Sequence, residues 1–318
     1  MIKIFSHNDL DGMGCIITGA MYFKPRNINY EILYYSILDE RIQEYINNKE
    51  YNQYELTYIT DLSISVETAE MFNNINSQGH RVIIVDHHDG SSFLNEQYPQ
   101  ISKCNTDNDK SGALLFFEEL YKDSTLCHEE RVLKEYVTYV SSYDTWKWTE
   151  TNDKFAERLN VHFDIYKNRY KYDKYIREMY RRIVSDEPLI FTVEQNEISY
   201  YISQRDKYIY KQQFKLIKTR KDEYNIGLLF IDDYASPYIS IISETLNKKP
   251  ENQDMDFLML VNLASGFISF RTIKDNIDLD KIAAKYGGGG HEKSAGTKLE
   301  NDFIQPIVDL VLSPITNN

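Results

Sequence analysis

Three cysteines in 318 residues, Cys15, Cys104 and Cys127, are too few and too widely spaced for a disulfide framework or a thiolate zinc site. They point to a reducing compartment. No apolar run approaches the roughly 18 residues a membrane-spanning helix needs, so no membrane association is expected. The chain enters an apolar, β-like stretch at once, without a charged leader and cleavage site, so a cytoplasmic location is expected. A Walker P-loop is absent, as is any recognisable Ser or Cys nucleophile motif, and no repeat or low-complexity tract is evident. The net charge of −13 argues against a general nucleic-acid coat protein.

What is present is globular: 42% hydrophobic and 14% aromatic residues, in a length that accommodates two cores. Charge is unevenly placed. Residues 166–221 hold 14 Lys/Arg against 7 Asp/Glu, a net of +7, so the remainder carries −20. Cations and aromatics interleave in Tyr166-Lys-Asn-Arg-Tyr-Lys-Tyr-Asp-Lys-Tyr175. Such a segment either holds a phosphodiester strand or is a solvated helical face with tyrosines packed inward.

Short β-rich runs, Ile2–Phe5, Glu31–Tyr35, Thr57–Thr60 and Val82–Val85, alternate with helix-like stretches such as Gly12–Phe23 and Val66–Ser77. This is the pattern of an open parallel sheet, whose sites gather at the carboxyl ends of strands. Residues 111–185 read as mostly helical, and Glu194–Lys218 as one long helix with Ile198, Tyr201, Ile202, Ile209 and Phe214 near helical spacing. β-formers return at Ile226–Ile231, Phe257–Asn262 and Phe267–Thr272. The expected fold is therefore α/β: an open parallel-sheet domain over 1–186, a helical connector over 187–222, and a smaller α/β domain with a mixed sheet over 223–318.

Polar clusters lie just past the apolar runs. His7, Asp9 and Asp11 follow the first, Asp61 another, and Asp86-His87-His88 the run Arg81–Val85. Asp144 stands in Ser141-Ser-Tyr-Asp144-Thr-Trp146. Each has a structural alternative: Asp9 or Asp11 as a helix cap, Asp61 as a turn residue, His88 as a hydrogen-bonded core histidine, Asp144 as an inter-helix residue. Together they are five carboxylates and three imidazoles, and carboxylates converging without cations cannot all ionise. Two divalent ions would neutralise them; mixed His/Asp ligation suits Mn²⁺, and a two-metal centre can lower the pKa of a water and clamp a phosphoryl group.

These blocks resemble the DHH phosphoesterase family, named for the triplet Asp86-His87-His88. A C-terminal block, Gly287-Gly288-Gly289-Gly290-His291-Glu292-Lys293-Ser294-Ala295-Gly296, resembles that family's associated glycine-rich domain, so the likeness covers nearly the whole chain. It implies His7, Asp9 and Asp61 on one Mn²⁺ and Asp11, Asp61, His87 and Asp144 on a second, with Asp61 bridging. Asp86 would orient a ligand imidazole, and His88 would face the scissile phosphate. Only Asn8 separates His7 from Asp9, a shorter interval than in many members of the family. Arg271, in Ile268-Ser-Phe-Arg-Thr272, and the backbone of Gly288, Gly289 and Gly290 with His291 would bind substrate.

The compact layout is most similar to oligoribonucleases that trim very short RNA. The implied partner is a short single-stranded oligonucleotide or dinucleotide, with no membrane and with a homodimer as an open option. Alternatives are a RecJ-type single-strand exonuclease, a soluble phosphodiesterase for linear or cyclic dinucleotides or adenosine bisphosphate, and a nucleotide-binding module with a vestigial site.

Overall fold

The computed structural model describes residues 1–298 except 108, 233, 234, 236 and 237 and the side chain of His291. It divides into two units, Met1–Tyr201 and Ile202–Asn318, the division falling within the helix Thr192–Gln212.

The first unit is built on four parallel strands, β1 (Ile2–His7), β2 (Ile28–Leu33), β3 (Leu56–Thr60) and β4 (Arg81–Val85), in the order β2-β1-β3-β4. β1 and β3 are central and buried on both faces; β3 is apolar or β-branched but for Tyr58, and β1 buries Lys3 by pairing it with Glu31 at 3.0 Å. On one face Ile4 meets the helix Leu10–Phe23 and Tyr58 packs edge-on against Phe116 of the helix Gly112–Tyr121, with ring centroids 4.8 Å apart. On the other, Phe5 packs edge-on against Tyr45 of the helix Leu38–Asn47, and Phe72 and Ile75 of the helix Val66–Ser77 complete the core. Helices His128–Asp144, Lys154–Tyr170 and Tyr172–Val184 follow.

The register fixes the site. Ser6 lies opposite Thr60, and Thr60 opposite Val85, so β1, β3 and β4 end in one row. The residues that leave these strands, from His7, Asp61 and Asp86 onward, therefore emerge side by side. Buried hydroxyls secure the row: Thr60 Oγ1 donates to Ser6 Oγ at 2.8 Å, and Ser6 Oγ donates to the Gly12 carbonyl at 3.0 Å.

The second unit carries a mixed six-stranded sheet in the order β5-β6-β7-β8-β10-β9, from β5 (Ile217–Lys221), β6 (Tyr224–Ile231), β7 (Phe257–Asn262), β8 (Phe267–Arg271), β9 (Gly289–His291) and β10 (Ser294–Lys298). Only β6 and β7 run parallel. Ile242 and Leu246 of the helix Ile239–Asn247 pack with Leu229, Leu258 and Leu260, and Leu279 and Ala283 with Phe257 and Phe270.

The α/β architecture is the expected one, with corrections in detail. The long helix ends at Gln212 rather than running to Lys218; a short 3-10 turn leads into β5. Lys221 pairs with Tyr224 across a two-residue turn whose Asp222 has φ +54°, a left-handed conformation Asp tolerates, and the approach to this hairpin takes Phe214 out of the helix while Ile209 stays in it. The second strand spans Ile28–Leu33, not Glu31–Tyr35, leaving Tyr34 and Tyr35 on the loop beyond it.

Candidate metal centre

Four segments bring the polar residues together. Asp9 caps the helix Leu10–Phe23, accepting the Gly12 N–H on Oδ1 at 2.9 Å, while its Oδ2 lies 2.7 Å from His7 Nδ1. The capping alternative is thus real for Asp9, and it occupies only one carboxylate oxygen. Asp11, on the first turn of that helix, accepts the N–H groups of Gly112 at 2.7 Å and Ala113 at 3.0 Å, capping a helix about a hundred residues away. Asp61 leaves β3 with φ +56°, its N–H donating to the Val85 carbonyl at 3.0 Å. Like Asp222, Asp61 takes a left-handed conformation that Asp tolerates better than most non-glycine residues. Asp144 is the last residue of the helix His128–Asp144, anchored where Ser111 N–H donates to Ser141 Oγ at 3.0 Å.

The side chains converge. His87 Nε2 lies 3.3 Å from Asp144 Oδ2, 3.5 Å from Asp61 Oδ1 and 3.8 Å from Asp11 Oδ2. His7 Nδ1 and His88 Nδ1 each lie 3.9 Å from an Asp61 oxygen, so the short His7–Asp9 interval does not remove His7 from the cluster. Three sets have donor atoms within 4.8 Å of one another: His7, Asp9 and Asp61; Asp11, His87 and Asp144; and Asp61, His87 and His88. Asp61 Oδ2, Asp144 Oδ2 and His87 Nε2 are buried without a hydrogen-bond partner. Orphaned oxygens and a ring nitrogen that face one another cost several kcal/mol unless a cation joins them. Carboxylate and imidazole donors in this number fit divalent ions bound through Asp61 and its neighbours.

Electrostatics tell the same story for the metal-free site. Burial, then the charges of Asp11 and Asp9, push Asp61 and Asp144 well above the usual carboxylate range. Burial lowers His87 against the pull of Asp11. Burial opposes charge on Asp9, yet His7 and the Gly12 N–H hold it below its ordinary value. Asp86 behaves differently. Despite burial, its bond to His88 and that imidazole's charge bring its carboxyl down to about 2, and Ser63 and Ser91 donate to its other oxygen. Burial works against a charged His88, but Asp86, 2.7 Å from Nδ1, raises it to about 9.

Residues 1–142 match the family described as DHH family, N-terminal domain. The N-terminal region of this chain is a DHH-family domain, the signature of a metal-dependent phosphoesterase. The donor cluster is in keeping with a metal-dependent enzyme. Over 314 residues the chain is 28% identical to oligoribonuclease NrnB of Bacillus subtilis (strain 168), covering 97% of this chain and 75% of that protein. The fold is similar to RecJ from Thermus thermophilus in complex with Mn²⁺ (TM-score 0.60, 13% identity, all of this chain and 52% of that one). It is also similar to PggH, a pGpG-specific phosphodiesterase from Vibrio cholerae (TM-score 0.56, 15% identity, 99% of both chains). At these identities the two structures speak to fold alone.

The remaining sequence candidates fare unevenly. Arg271, half-buried at the end of β8, donates only to the carbonyls of Phe270 and Ala295 and has no carboxylate partner among the described residues; burial lowers it to about 10. An unpaired guanidinium of this kind can still receive a phosphate. The glycine block does not form the expected amide cup. Gly288 N–H donates to Ala283 O and Gly290 N–H to Asp280 Oδ1, and a Cβ at Gly288 would lie 2.1 Å from the Gly296 carbonyl. Close packing of β9 on β10 explains these glycines. His291 closes β9, but its imidazole lies outside the described part of the chain.

The basic stretch is neutralised only in part. Within the first unit, Lys167 pairs with Asp164, Arg169 with Glu197, Arg181 with Glu178 and Glu187, and buried Arg182 with Glu194. Tyr175 is buried. Tyr170 of the same segment is exposed, so the inward-packed alternative holds only in part. No helix among the described residues is long and apolar enough to cross a membrane.

Sequence reasoning missed Gly112. A Cβ there would lie 2.9 Å from Asp61 Cβ and 3.0 Å from Asp11 Oδ2, so only glycine lets this helix N-terminus meet both carboxylates. The available signal was Ser111-Gly112 opening an apolar helix. Gly112→Ala is expected to lower Mn²⁺ affinity about 10–100-fold and stability by about 1–3 kcal/mol. Calorimetric Mn²⁺ titration checks this; unchanged affinity would mean the contact does not shape the site.

Proposed function

We propose that this phosphoesterase hydrolyses very short single-stranded oligonucleotides to mononucleotides, using two divalent ions, Mn²⁺ by preference. The observation that carries the reading is the nearly full-length similarity to an oligoribonuclease combined with two donor sets that share Asp61. When bound, a pair of ions supplies Lewis acidity at a phosphoryl oxygen and lowers the pKa of an attacking water. His7, Asp9 and Asp61 would hold one ion, and Asp11, Asp61, His87 and Asp144 the other.

The residues around the cluster prepare it. Gly112 and Ala113 N–H groups fix both oxygens of Asp11, and Gly12 N–H fixes one oxygen of Asp9, so these carboxylates need no reorganisation on loading. Asp86, held by Ser63 and Ser91, accepts a hydrogen bond from His88 Nδ1–H and favours the charged form of the ring. His88 Nε2–H is then left to donate to a phosphate or leaving oxygen. Four of the seven cations of the basic stretch in the first unit are engaged in ion pairs, which favours a short substrate, since a long strand needs an extended cationic track. The three cysteines are free thiols, consistent with a cytoplasmic setting.

The test is a panel with Mn²⁺ or EDTA: an RNA dinucleotide, an RNA heptanucleotide, long single-stranded DNA, a cyclic dinucleotide and adenosine bisphosphate. Mn²⁺-dependent turnover should be fastest on the dinucleotide. Preference for long DNA would move the chain to the exonuclease class, and tight binding without cleavage of any substrate would make it a binding module.

A further inference from the structure

The unexpected placement of Tyr34 and Tyr35, just past β2, puts one aromatic ring, Tyr35, at the candidate metal centre and the other against Tyr172. His7 pairs with Leu33 in the sheet, so Tyr35 follows only two residues beyond the row from which the donor segments emerge. The Tyr35 ring centroid lies 5.0 Å from that of His7 and 6.2 Å from that of His88, tilted to the first and edge-on to the second. The Ser63 backbone amide lies beside its hydroxyl, so the ring reaches from the loop after β2 to the loop after β3. Yet Tyr35 is 48% exposed. A ring anchored on one side by the site's imidazoles and wet on the other is a platform, not core packing.

Its neighbour is tied down separately. Tyr34 and Tyr172 hydroxyls lie 3.3 Å apart, and Asn8, between His7 and Asp9, donates its amide to Tyr172 Oη at 3.4 Å. Tyr34 thus braces the donor loop through Tyr172 and leaves Tyr35 as the ring facing the centre.

We infer that Tyr35 is a substrate-binding residue that stacks on the base of the nucleotide whose phosphate is held at the metal centre. This inference rests on the nucleotide reading above, and extends it: the first unit would itself select nucleotides over other phosphate esters. Stacking suits a processing enzyme because every base has a π-face, so it demands a base without reading which one. Base–aromatic stacking is worth about 1–3 kcal/mol, which corresponds to about a 5- to 150-fold difference in affinity.

The experiment compares calorimetric binding of AMP and of methyl riboside 5-phosphate, which lacks the base, in Mn²⁺, for the wild-type protein, Tyr35→Phe and Tyr35→Leu. The wild type should bind AMP about tenfold or more tighter, Tyr35→Phe should keep that preference, and Tyr35→Leu should lose it. Binding of the base-free ester and of Mn²⁺ should be the same in all three. A wild type with no preference overturns the inference without recourse to a variant. So does a preference that survives in Tyr35→Leu. A parallel loss of the base-free ester or of Mn²⁺ in Tyr35→Leu would instead make Tyr35 a positioning residue for His7. If AMP preference holds while no dinucleotide is cleaved, the proposed function fails and the stacking role stands.

Discussion

Asp61→Asn is expected to raise the melting temperature of the metal-free protein by about 2–6 °C while reducing phosphodiester hydrolysis about 10²–10³-fold. Both effects have one source. Asp61 is 1% exposed, one of its oxygens has no partner, and burial with the charges of Asp11 and Asp9 disfavours its ionised form. Asparagine keeps the shape, tolerates φ +56° and removes the charge. The folded chain then no longer carries an uncompensated buried carboxylate at this position, and the site loses the one carboxylate shared by two donor sets. Differential scanning fluorimetry in EDTA and a dinucleotide assay in Mn²⁺ read the two effects. A variant less stable without metal and close to wild type in rate would mark Asp61 as a structural turn residue.

The donors were legible because a parallel sheet converts sequence position into spatial position. His7, Asp61 and Asp86 each leave a strand at the same end, and the pairing of Ser6 with Thr60 and Thr60 with Val85 does the rest. What could not be read locally was support from distant segments. The bonds from Gly112 and Ala113 to Asp11, and the placement of Asp144 at a helix end, are set by tertiary packing of helices separated by long stretches of chain. The glycine block misled for a different reason. A run of glycines is equally suited to cradling an anion and to letting two strands approach closely, and only the position of the Gly296 carbonyl decides for packing at Gly288. Likewise the spacing of Phe214 after Ile209 suits a longer helix, and the hairpin turn at Asp222 prevails beyond Gln212 because β5 gains a full ladder with β6.

The stability of the metal-free protein should fall as pH rises from about 5 to 8, opposite to the usual behaviour of a protein rich in ion-paired carboxylates. Asp61 and Asp144 have folded-state values raised above those of the unfolded chain. Their contribution is complete below the ordinary carboxylate pKa and is lost as pH rises through the raised values. His88 has the same sign, its contribution complete below the ordinary imidazole value and lost as pH approaches about 9. His87 works the other way, since burial lowers it and its contribution is lost as pH falls below the ordinary imidazole value; two raised carboxylates and His88 outweigh it. Metal reverses the slope. Binding requires deprotonated ligands, so the increment from Mn²⁺ should be small at pH 5 and largest near pH 8. At a free concentration about 100 times Kd it amounts to about 2.7 kcal/mol, or about 5–10 °C in melting temperature. Melting curves at matched ionic strength, with EDTA and with Mn²⁺ across this range, measure both slopes. Parallel curves in the two conditions would mean that the buried carboxylates and imidazoles are satisfied without a cation, and with that the metal centre itself would be lost.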